Sequence, residues 1–351
     1  MEIKKIFSIT LIICLIFTSI SIVHAKNEKD NFATEKEYAE KFLLKMGYQK
    51  KLVDPIPLFN LDGEIEAISF TIQDGGYLII NYKNLKMLEI SFDKENPYSS
   101  YQQDYQKIYN GIFEYYVKDK YGIRNIKSGK YFDVSKLKKK YKENWIDKEI
   151  KLRKIKEETK NMNLTLISTD SIVPMSIYEE YRELKGTLRT WSTSRYCGVD
   201  AVAILLMYFD DYYTESFVSS TLETATALTD YLVNEGYIAD MATSGEALAY
   251  GDTYSLGIDN YLYDNNLLNS YTPETRAYSY LAIKTYINGN KPVITGTESA
   301  HPDFDNHWII THGYCRPWGE EPLLIINDGF GTNDMFVTAD ATCYDNIVYI
   351  K

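Results

Sequence analysis

Positive charge and histidine are both scarce in this chain. Its 38 lysines and arginines face 49 acidic residues, which gives a formal net charge of −11 at pH 7, and four of its 351 residues are histidines. A chain with this deficit of positive charge lacks the electrostatic footprint of a nucleic-acid-binding protein, and anionic lipid repels it. We therefore expect no nucleic acid and no integral membrane protein among its partners.

Charge is absent from residues 6–23, which are mostly apolar and follow Lys4 and Lys5. A positive start and an apolar run that leads to Ala25 are typical of a secretory signal, which is removed from the mature protein. We interpret residues 1–25 as such a signal and expect a secreted or cell-surface protein. A retained membrane anchor stays open as an alternative, because the run is long enough to span a bilayer.

Cysteine is equally scarce. Of the four cysteines, Cys14 lies in the signal, so Cys197, Cys315 and Cys343 remain. An odd number in an oxidising compartment leaves at least one thiol outside any intramolecular disulfide. Because a free thiol outside the cell is a liability unless it is used, this count favours a nucleophile among the three. Two alternatives stay open for Cys315 and Cys343: they form a disulfide, or both are reduced and partly buried.

The residues after the signal divide into two regions, since a chain of 351 residues fits two domains better than one. We assign residues 26–165, which are rich in lysine and tyrosine, to a first domain. Residues 166–177 contain Ser, Thr and Pro with little periodicity, and we interpret them as a linker or processing region. Lysine becomes scarce and the apolar content rises from about residue 178, so we place the second domain at 178–351.

Within the first region, a helical pattern surrounds residues 38–46. Two strand-like runs follow at 67–72 and 77–82, and the glycine-rich break between them is typical of a β-hairpin. Residues 86–92 are predicted to continue this sheet. Residues 101–160 have helical spacing and end in a charge-dense stretch, which indicates a solvated helix rather than a binding patch.

The first chemically informative motif is Cys197-Gly198, which precedes an apolar run at 199–209. The run predicts a buried helix that starts close to Cys197. A sulfur at a helix N-terminus lies near unpaired N–H groups and the positive end of the helix dipole, and both lower the thiol pKa. The thiolate is the attacking species in nucleophilic catalysis. The alternative is a structural cysteine at the start of a buried helix.

The second motif is a predicted strand that begins after His307 and ends at Gly313. If the base for the thiol is a histidine, it is one of His301, His307 and His312. His307 and His312 are five residues apart, so on one strand they point to opposite faces of the sheet. His307 lies at the mouth of the strand and is our candidate base, whereas His312 is predicted to be structural.

The third motif is a buried strand at 323–326 that ends in Asn327, Asp328 and Gly329. A polar group here can accept the second imidazole N–H of His307 and so fix its tautomer and orientation. On a straight strand Asn327 and Asp328 face opposite ways, so only one of them can do this. The alternative for each is an ordinary turn residue, for which Asn-Asp-Gly is well suited.

A metal site is the competing interpretation of the histidine-rich segment. His301, His307, His312 and Cys315 fall close together, but they lack the tight paired spacing of zinc ligands, and strand alternation separates their side chains. We therefore expect neither a metal nor any other cofactor.

These motifs resemble the streptopain family and the related bacteriocin-processing peptidases of the papain superfamily. The matching features are a Cys-Gly start on a buried helix, the Asn-His-Trp-Ile-Ile-Thr-His-Gly-Tyr segment at 306–314, and the Asn-Asp-Gly-Phe-Gly turn at 327–331, which is similar to Asn-Trp-Gly-Trp-Gly in that family. The resemblance covers about residues 190–351 and is weaker over 65–98. It implies an α+β fold, in which a papain-like domain packs its cysteine-bearing helix on an antiparallel sheet and follows a smaller α+β pro-domain.

The resemblance assigns roles to individual residues. It implies that Cys197 is the nucleophile, that His307 is the base, and that Asn327, with Asp328 as second candidate, orients the histidine. One position departs from the family: papain-like enzymes have an oxyanion-donating glutamine about six residues before the nucleophile, where this chain has Trp191. Three alternatives stay open for that donor: Ser192, Ser194 and the backbone N–H of Cys197.

The expected function is that of a secreted cysteine endopeptidase made as a zymogen. Its substrate would be a peptide or protein, and its own pro-domain at 26–165 would be an intramolecular inhibitor. Two other functions stay open on the same scaffold. One is a binding or inhibitory protein that has lost catalysis, and the other is an acyltransferase that uses the same thioester chemistry.

Overall fold

The computed structural model describes residues 32–101, 104–132, 177–193, 197–239, 251–298 and 307–351. Within these ranges, five α-helices and fifteen strands form a mixed α+β architecture, in agreement with the coarse fold class expected. The signal at 1–25, most of the 166–177 linker, Ser194 and His301 lie outside the described residues. No helix in the described part of the chain is both long and apolar enough to cross a membrane.

The N-terminal region, residues 32–132, contains one helix and eight strands among its described residues. They are α1 (Ala33–Lys45), β1 (Leu52–Phe59), β2 (Ile65–Ile72), β3 (Tyr77–Asn81), β4 (Met87–Ser91), β5 (Gln106–Tyr109), β6 (Tyr115–Asp119), β7 (Gly122–Asn125) and β8 (Tyr131–Phe132). The predicted hairpin is confirmed, because β2 and β3 pair antiparallel from Ala67↔Asn81 to Thr71↔Tyr77, and β4 adds the expected third strand. Gly76 sits in this turn at φ +93°, where a Cβ would come 2.2 Å from the Ser91 carbonyl oxygen, so only glycine fits.

The helical prediction for residues 101–160 is wrong over 104–132, where the chain forms β5 to β8. Tyrosine, isoleucine and valine fill these strands and suit a pleated, half-buried surface. The intervening turns contain Gly111, Gly122 and Gly129 at positive φ, a backbone conformation that a helix does not use. These local breaks outweigh the helical spacing that predicted a helix here.

The C-terminal region, residues 177–351, contains the remaining elements. They are β9 (Tyr178–Glu183), α2 (Cys197–Tyr212), α3 (Ala225–Asn234), α4 (Gly251–Asp264), β10 (Pro273–Ala277), α5 (Tyr280–Asn288), β11 (Val293–Thr297), β12 (Trp308–Pro317), β13 (Leu323–Asn327), β14 (Met335–Thr338) and β15 (Tyr344–Ile350), with a 3₁₀ turn at Ala341–Cys343. The predicted buried helix is confirmed as α2, in which every residue from Gly198 to Asp210 is buried.

One sheet runs through both regions in the order β10-β15-β11-β12-β13-β14-β4-β3-β2-β1-β5-β6-β7-β8, and β9 pairs with the second half of β12. The regions join where β14 pairs antiparallel with β4, through Phe336↔Ile90 and Val337↔Glu89. The sheet is therefore continuous across the two parts of the chain that were predicted as separate domains.

The sheet is covered on two faces. Helix α2 and its neighbours form the larger core on one face, and α1 covers the other. Strand β13 shows the alternation, since Leu324 and Ile326 belong to the larger core and Leu323 and Ile325 to the smaller one.

The same two faces separate two of the cysteines. Cys315 lies in the smaller core, whereas Cys343 packs against the larger one, and no disulfide joins them. The disulfide alternative for this pair is therefore wrong in this structure.

Candidate active site

The start of α2 is fixed by a buried carboxylate. Asp200 lies in the first turn of the helix and is 2% exposed. It accepts hydrogen bonds from the backbone N–H and the hydroxyl of Thr193, at 3.0 and 2.7 Å. An acidic side chain in the first turn also complements the helix dipole. The segment before the helix is thus tied to the turn that begins with Cys197.

Cys197 is the first residue of α2 and only partly exposed. Its Sγ accepts a hydrogen bond from the backbone N–H of Trp308 at 3.4 Å. Burial raises the pKa of the thiol to about 11, although the N–H groups of Trp308 and Gly198 favour the thiolate. The expectation of a lowered thiol pKa is therefore wrong for this state, because loss of water outweighs the helix start.

His307 lies immediately before β12, and Thr297 fixes its backbone: the hydroxyl of Thr297 accepts from the His307 N–H at 3.1 Å, and the Thr297 N–H donates to the His307 carbonyl at 2.8 Å. Burial lowers the pKa of the imidazole to about 3, and the charges of Lys127 and Lys94 lower it further. The ring is therefore neutral. Its Nε2–H donates to the backbone carbonyl of Asp328 at 2.7 Å, which leaves Nδ1 unprotonated.

The imidazole is enclosed by two aromatic rings. Phe330 stacks on it, with centroids 4.3 Å apart and an interplanar angle of 15°, and Phe113 meets it edge-on at 5.3 Å and 70°. Phe330 belongs to the glycine-rich turn after β13, whereas Phe113 belongs to the turn between β5 and β6. One wall of the histidine site thus comes from the N-terminal region.

Cys197 and His307 both face Gly329. A Cβ built on this glycine would lie 3.9 Å from the Cys197 Cβ and 4.0 Å from the His307 Cε1, so both atoms are within about 4 Å of one point. Gly329 has φ +68°, a backbone conformation that most other residues adopt only with strain. Cys197 and His307 therefore lie against the same glycine, although thiol and imidazole make no direct hydrogen bond in the described structure.

The two candidate orienting side chains point elsewhere. The Asn327 amide donates to the Arg189 carbonyl at 3.1 Å and to Asn333, and its oxygen accepts from the Gly329 N–H at 2.8 Å. The Asp328 carboxylate accepts from two N–H groups of its own turn and from the Lys94 ammonium. Neither side chain hydrogen-bonds to the imidazole in the described structure. The main-chain carbonyl of Asp328 orients it instead.

Two other predicted site residues, Ser192 and His312, have neighbours of their own. The Cβ of Ser192 is 4.0 Å from a Cβ built on Gly331, which places the serine beside the glycine-rich turn. His312 has its Nε2 3.5 Å from an Asp334 carboxylate oxygen, and burial lowers its pKa to about 4. Among the described residues, no group of three or more His, Cys, Asp or Glu side chains is arranged to hold a metal ion.

Sequence reasoning missed three residues that reach the site from the N-terminal region. Phe113 contacts the imidazole, Lys94 pairs with the Asp328 carboxylate, which is 1% exposed, and the Lys127 ammonium lies against the Phe330 ring. All three lie in turns or loops between strands and carry no catalytic signature.

Neither a scan against protein-family models nor a search of curated proteins finds a significant match to the chain.

Proposed function

We propose that this chain is a secreted papain-like cysteine endopeptidase that is made as a zymogen. The observation that carries the proposal is that Cys197 and His307 both lie against Gly329. The hydrogen bond from Nε2–H to the Asp328 carbonyl leaves Nδ1 as the nitrogen with a lone pair. A neutral imidazole with one protonated nitrogen and one basic nitrogen is the form that can accept the thiol proton.

The reaction follows from these two groups. Transfer of the thiol proton to His307 produces the Cys197 thiolate, which attacks the carbonyl carbon of a peptide bond. The imidazolium then returns the proton to the leaving amine, and a thioester remains on the sulfur. A water molecule, deprotonated by the same imidazole, hydrolyses the thioester and restores the thiol.

The N-terminal region supports the zymogen part of the proposal. Phe113 covers one side of the imidazole, and the positive charges of Lys94 and of protonated Lys127, whose own pKa burial lowers to about 7, oppose its protonation. With a thiol pKa near 11 and an imidazole pKa near 3, the proton stays on sulfur in this state. Departure of residues 26–165 would admit water and remove both cations, and each change raises the imidazole pKa.

The test compares two cysteine-to-alanine substitutions in the full chain, each of which removes one thiol. Cys197→Ala is expected to abolish both self-processing, followed by intact mass, and hydrolysis of a peptide library. Cys343→Ala removes the same group from a partly exposed cysteine and is expected to leave both unchanged. Hydrolysis that persists in purified Cys197→Ala protein would contradict the proposal.

One observation favours a second candidate, a papain-like binding or inhibitory protein without activity. The pairing of β14 with β4 makes the N-terminal region part of the same sheet, so its release would expose a strand edge. Iodoacetamide discriminates the two functions. An enzyme is expected to lose its Cys197 thiol at neutral pH once the N-terminal region is cleaved, in a reaction that His307→Ala slows, whereas a binding protein would stay unlabelled.

A further inference from the structure

Tyr254, in α4, lies directly over the start of α2. A Cβ built on Gly198 would come 1.8 Å from the Tyr254 hydroxyl oxygen and 2.4 Å from its Cζ. The phenol therefore occupies the space beside the Gly198 α-carbon, one residue after the nucleophile. A tyrosine hydroxyl thus fills the space that the absent side chain of Gly198 leaves free.

The position of this phenol is fixed by Trp308. The two rings meet edge-on, with centroids 4.7 Å apart and an interplanar angle of 71°. Trp308 is also the residue whose backbone N–H donates to the Cys197 sulfur. Tyr254 thus lies against Gly198, the residue after the cysteine, and against Trp308, whose N–H donates to the sulfur.

The Tyr254 hydroxyl has no hydrogen bond with any described residue, although the residue is 3% exposed. Two other buried tyrosines are satisfied within the fold, since Tyr261 of the same helix donates to the Phe217 carbonyl at 2.8 Å and Tyr278 donates to the Ala339 carbonyl at 2.9 Å. The buried Tyr208 hydroxyl, by contrast, has no partner among the described residues. The Tyr254 oxygen is not among the side-chain atoms that are both fully buried and unpaired, so the hydroxyl stays accessible and can donate to a bound ligand.

The charge state of this hydroxyl suits a donor. Burial and the neighbouring Cys197 both raise the pKa of Tyr254 well above its usual value, so the hydroxyl keeps its proton at every pH at which a peptidase works. A group beside the sulfur that is always protonated can stabilise negative charge that forms there.

We infer that Tyr254 is the oxyanion donor of this site, in place of the glutamine that the sequence lacks. As the Cys197 sulfur forms its bond to the carbonyl carbon, the π electron pair moves onto the carbonyl oxygen. The Tyr254 hydroxyl donates a hydrogen bond to that oxygen and keeps its own proton. When the carbonyl re-forms, the carbon–nitrogen bond breaks and the amine leaves with the proton from His307. This inference rests on the proposed peptidase function.

Tyr254→Phe removes the hydroxyl and keeps the ring. We expect kcat for a peptide that the wild type cleaves to fall roughly 100-fold, with KM nearly unchanged, because the lost interaction forms only in the transition state. A peptide aldehyde, whose adduct with the sulfur carries an oxyanion, should bind the variant more weakly by a similar factor. The variant is produced as a full chain and cleaved by a trace of wild-type protein. A Cys197→Ala sample treated in the same way gives the activity of that trace, which is subtracted.

Alkylation of Cys197 by iodoacetamide forms no oxyanion, so its rate should be the same in Tyr254→Phe and in the wild type. Tyr261→Phe is the matched control, since it removes a buried hydroxyl from the same helix at a distance from the sulfur. It should lower thermal stability and leave kcat unchanged. An unchanged kcat in Tyr254→Phe, or a fall matched by equally slower alkylation, overturns the inference. A wild type that neither cleaves peptides nor alkylates overturns the proposed function instead.

Discussion

The two regions of the molecule contribute to the candidate site in different ways. The C-terminal region supplies groups at the ends of regular elements: Cys197 begins α2, His307 precedes β12 and Asp328 follows β13. The N-terminal region supplies Phe113 and Lys94 from loops, where the backbone is set by turns. The first set contains a thiol and an imidazole, which are groups that can take part in a reaction. In the second set, Phe113 covers the imidazole and Lys94 neutralises the Asp328 carboxylate. If the proposed function is correct, reaction and restraint are encoded in separate parts of the chain.

The largest expected effect comes from Gly198→Ala, which tests the C-terminal side. Its Cβ would overlap the Tyr254 hydroxyl, so the phenol or the helix start must shift. We expect peptidase activity to fall at least about 100-fold, the scale on which a misplaced catalytic group acts. Gly289→Ala is the control, because its Cβ would lie 3.3 Å from the nearest atom, and kcat should be retained. Equal activity in both variants would contradict the described contact.

Lys94→Met tests the N-terminal side by removing the cation from the buried Asp328 carboxylate. Removing one partner of a buried ion pair costs about 3–5 kcal/mol, and less here because Lys94 is partly exposed, so urea unfolding of the full chain should shift to lower concentration. Loss of the cation also raises the imidazole pKa, so self-processing should become several-fold faster. Lys86→Met is the matched control, since Lys86 pairs across the same boundary with the more exposed Asp340. Its cost should be below about 1 kcal/mol, with unchanged processing.

Glu89 sharpens the comparison through pH. It is fully buried on β4, accepts hydrogen bonds from the hydroxyls of Tyr77, Tyr109 and Tyr115, and accepts one from the Phe113 N–H. Burial raises the pKa of this carboxyl to about 7 from an ordinary value near 4.5. The folded protein thus favours the protonated form.

The stability that Glu89 contributes is therefore complete below about pH 4.5 and is lost as the pH rises through about 7. Glu89→Gln keeps a neutral side chain at every pH. Its full chain should lack the part of the decline in stability between pH 4.5 and 7 that the wild type shows in urea titrations. Parallel stability profiles for the two proteins would show that Glu89 does not titrate in this range.

The smallest expected effect comes from Phe113→Ala, which removes the edge-on ring from the imidazole. An aromatic pair of this kind contributes about 1 kcal/mol beyond its buried area. Iodoacetamide should reach Cys197 of the full chain a few-fold faster. Phe132→Ala, which removes a ring that packs on Tyr116 instead, should not change that rate. The same acceleration in both variants would mean that general loosening, and not uncovering, is responsible.

The sequence was most informative where a polar residue or a cysteine stands at the end of an apolar run. The run at 199–209 predicts the buried α2, and Cys197 at its edge follows from the same pattern. Likewise β13 ends at Asn327, as its apolar run indicates. Hydrophobic burial sets these element ends, so a local window is enough to find them.

The rest depends on contacts between distant residues. Tyr254 and Cys197 lie on different helices, and no local pattern indicates that a phenol meets Gly198. The raised thiol pKa has the same origin, since burial by several segments outweighs the helix start that the sequence makes visible. Residues 104–132 were predicted as a helix because the spacing of their residues is compatible with one. Single glycines at positive φ lie in the turns between the strands there, and a periodic pattern does not reveal such single positions.

The pairing of β14 with β4 has a consequence for timing. Each strand donates to and accepts from the other, and Phe336 lies opposite Ile90 in the ladder. If the proposed zymogen is cut between the two regions, these hydrogen bonds stay intact, and the severed N-terminal region would stay attached as a non-covalent subunit. The delay between the cut and the first turnover would then be set by the rate at which one strand peels from another, and dilution, not further proteolysis, would make the separation irreversible.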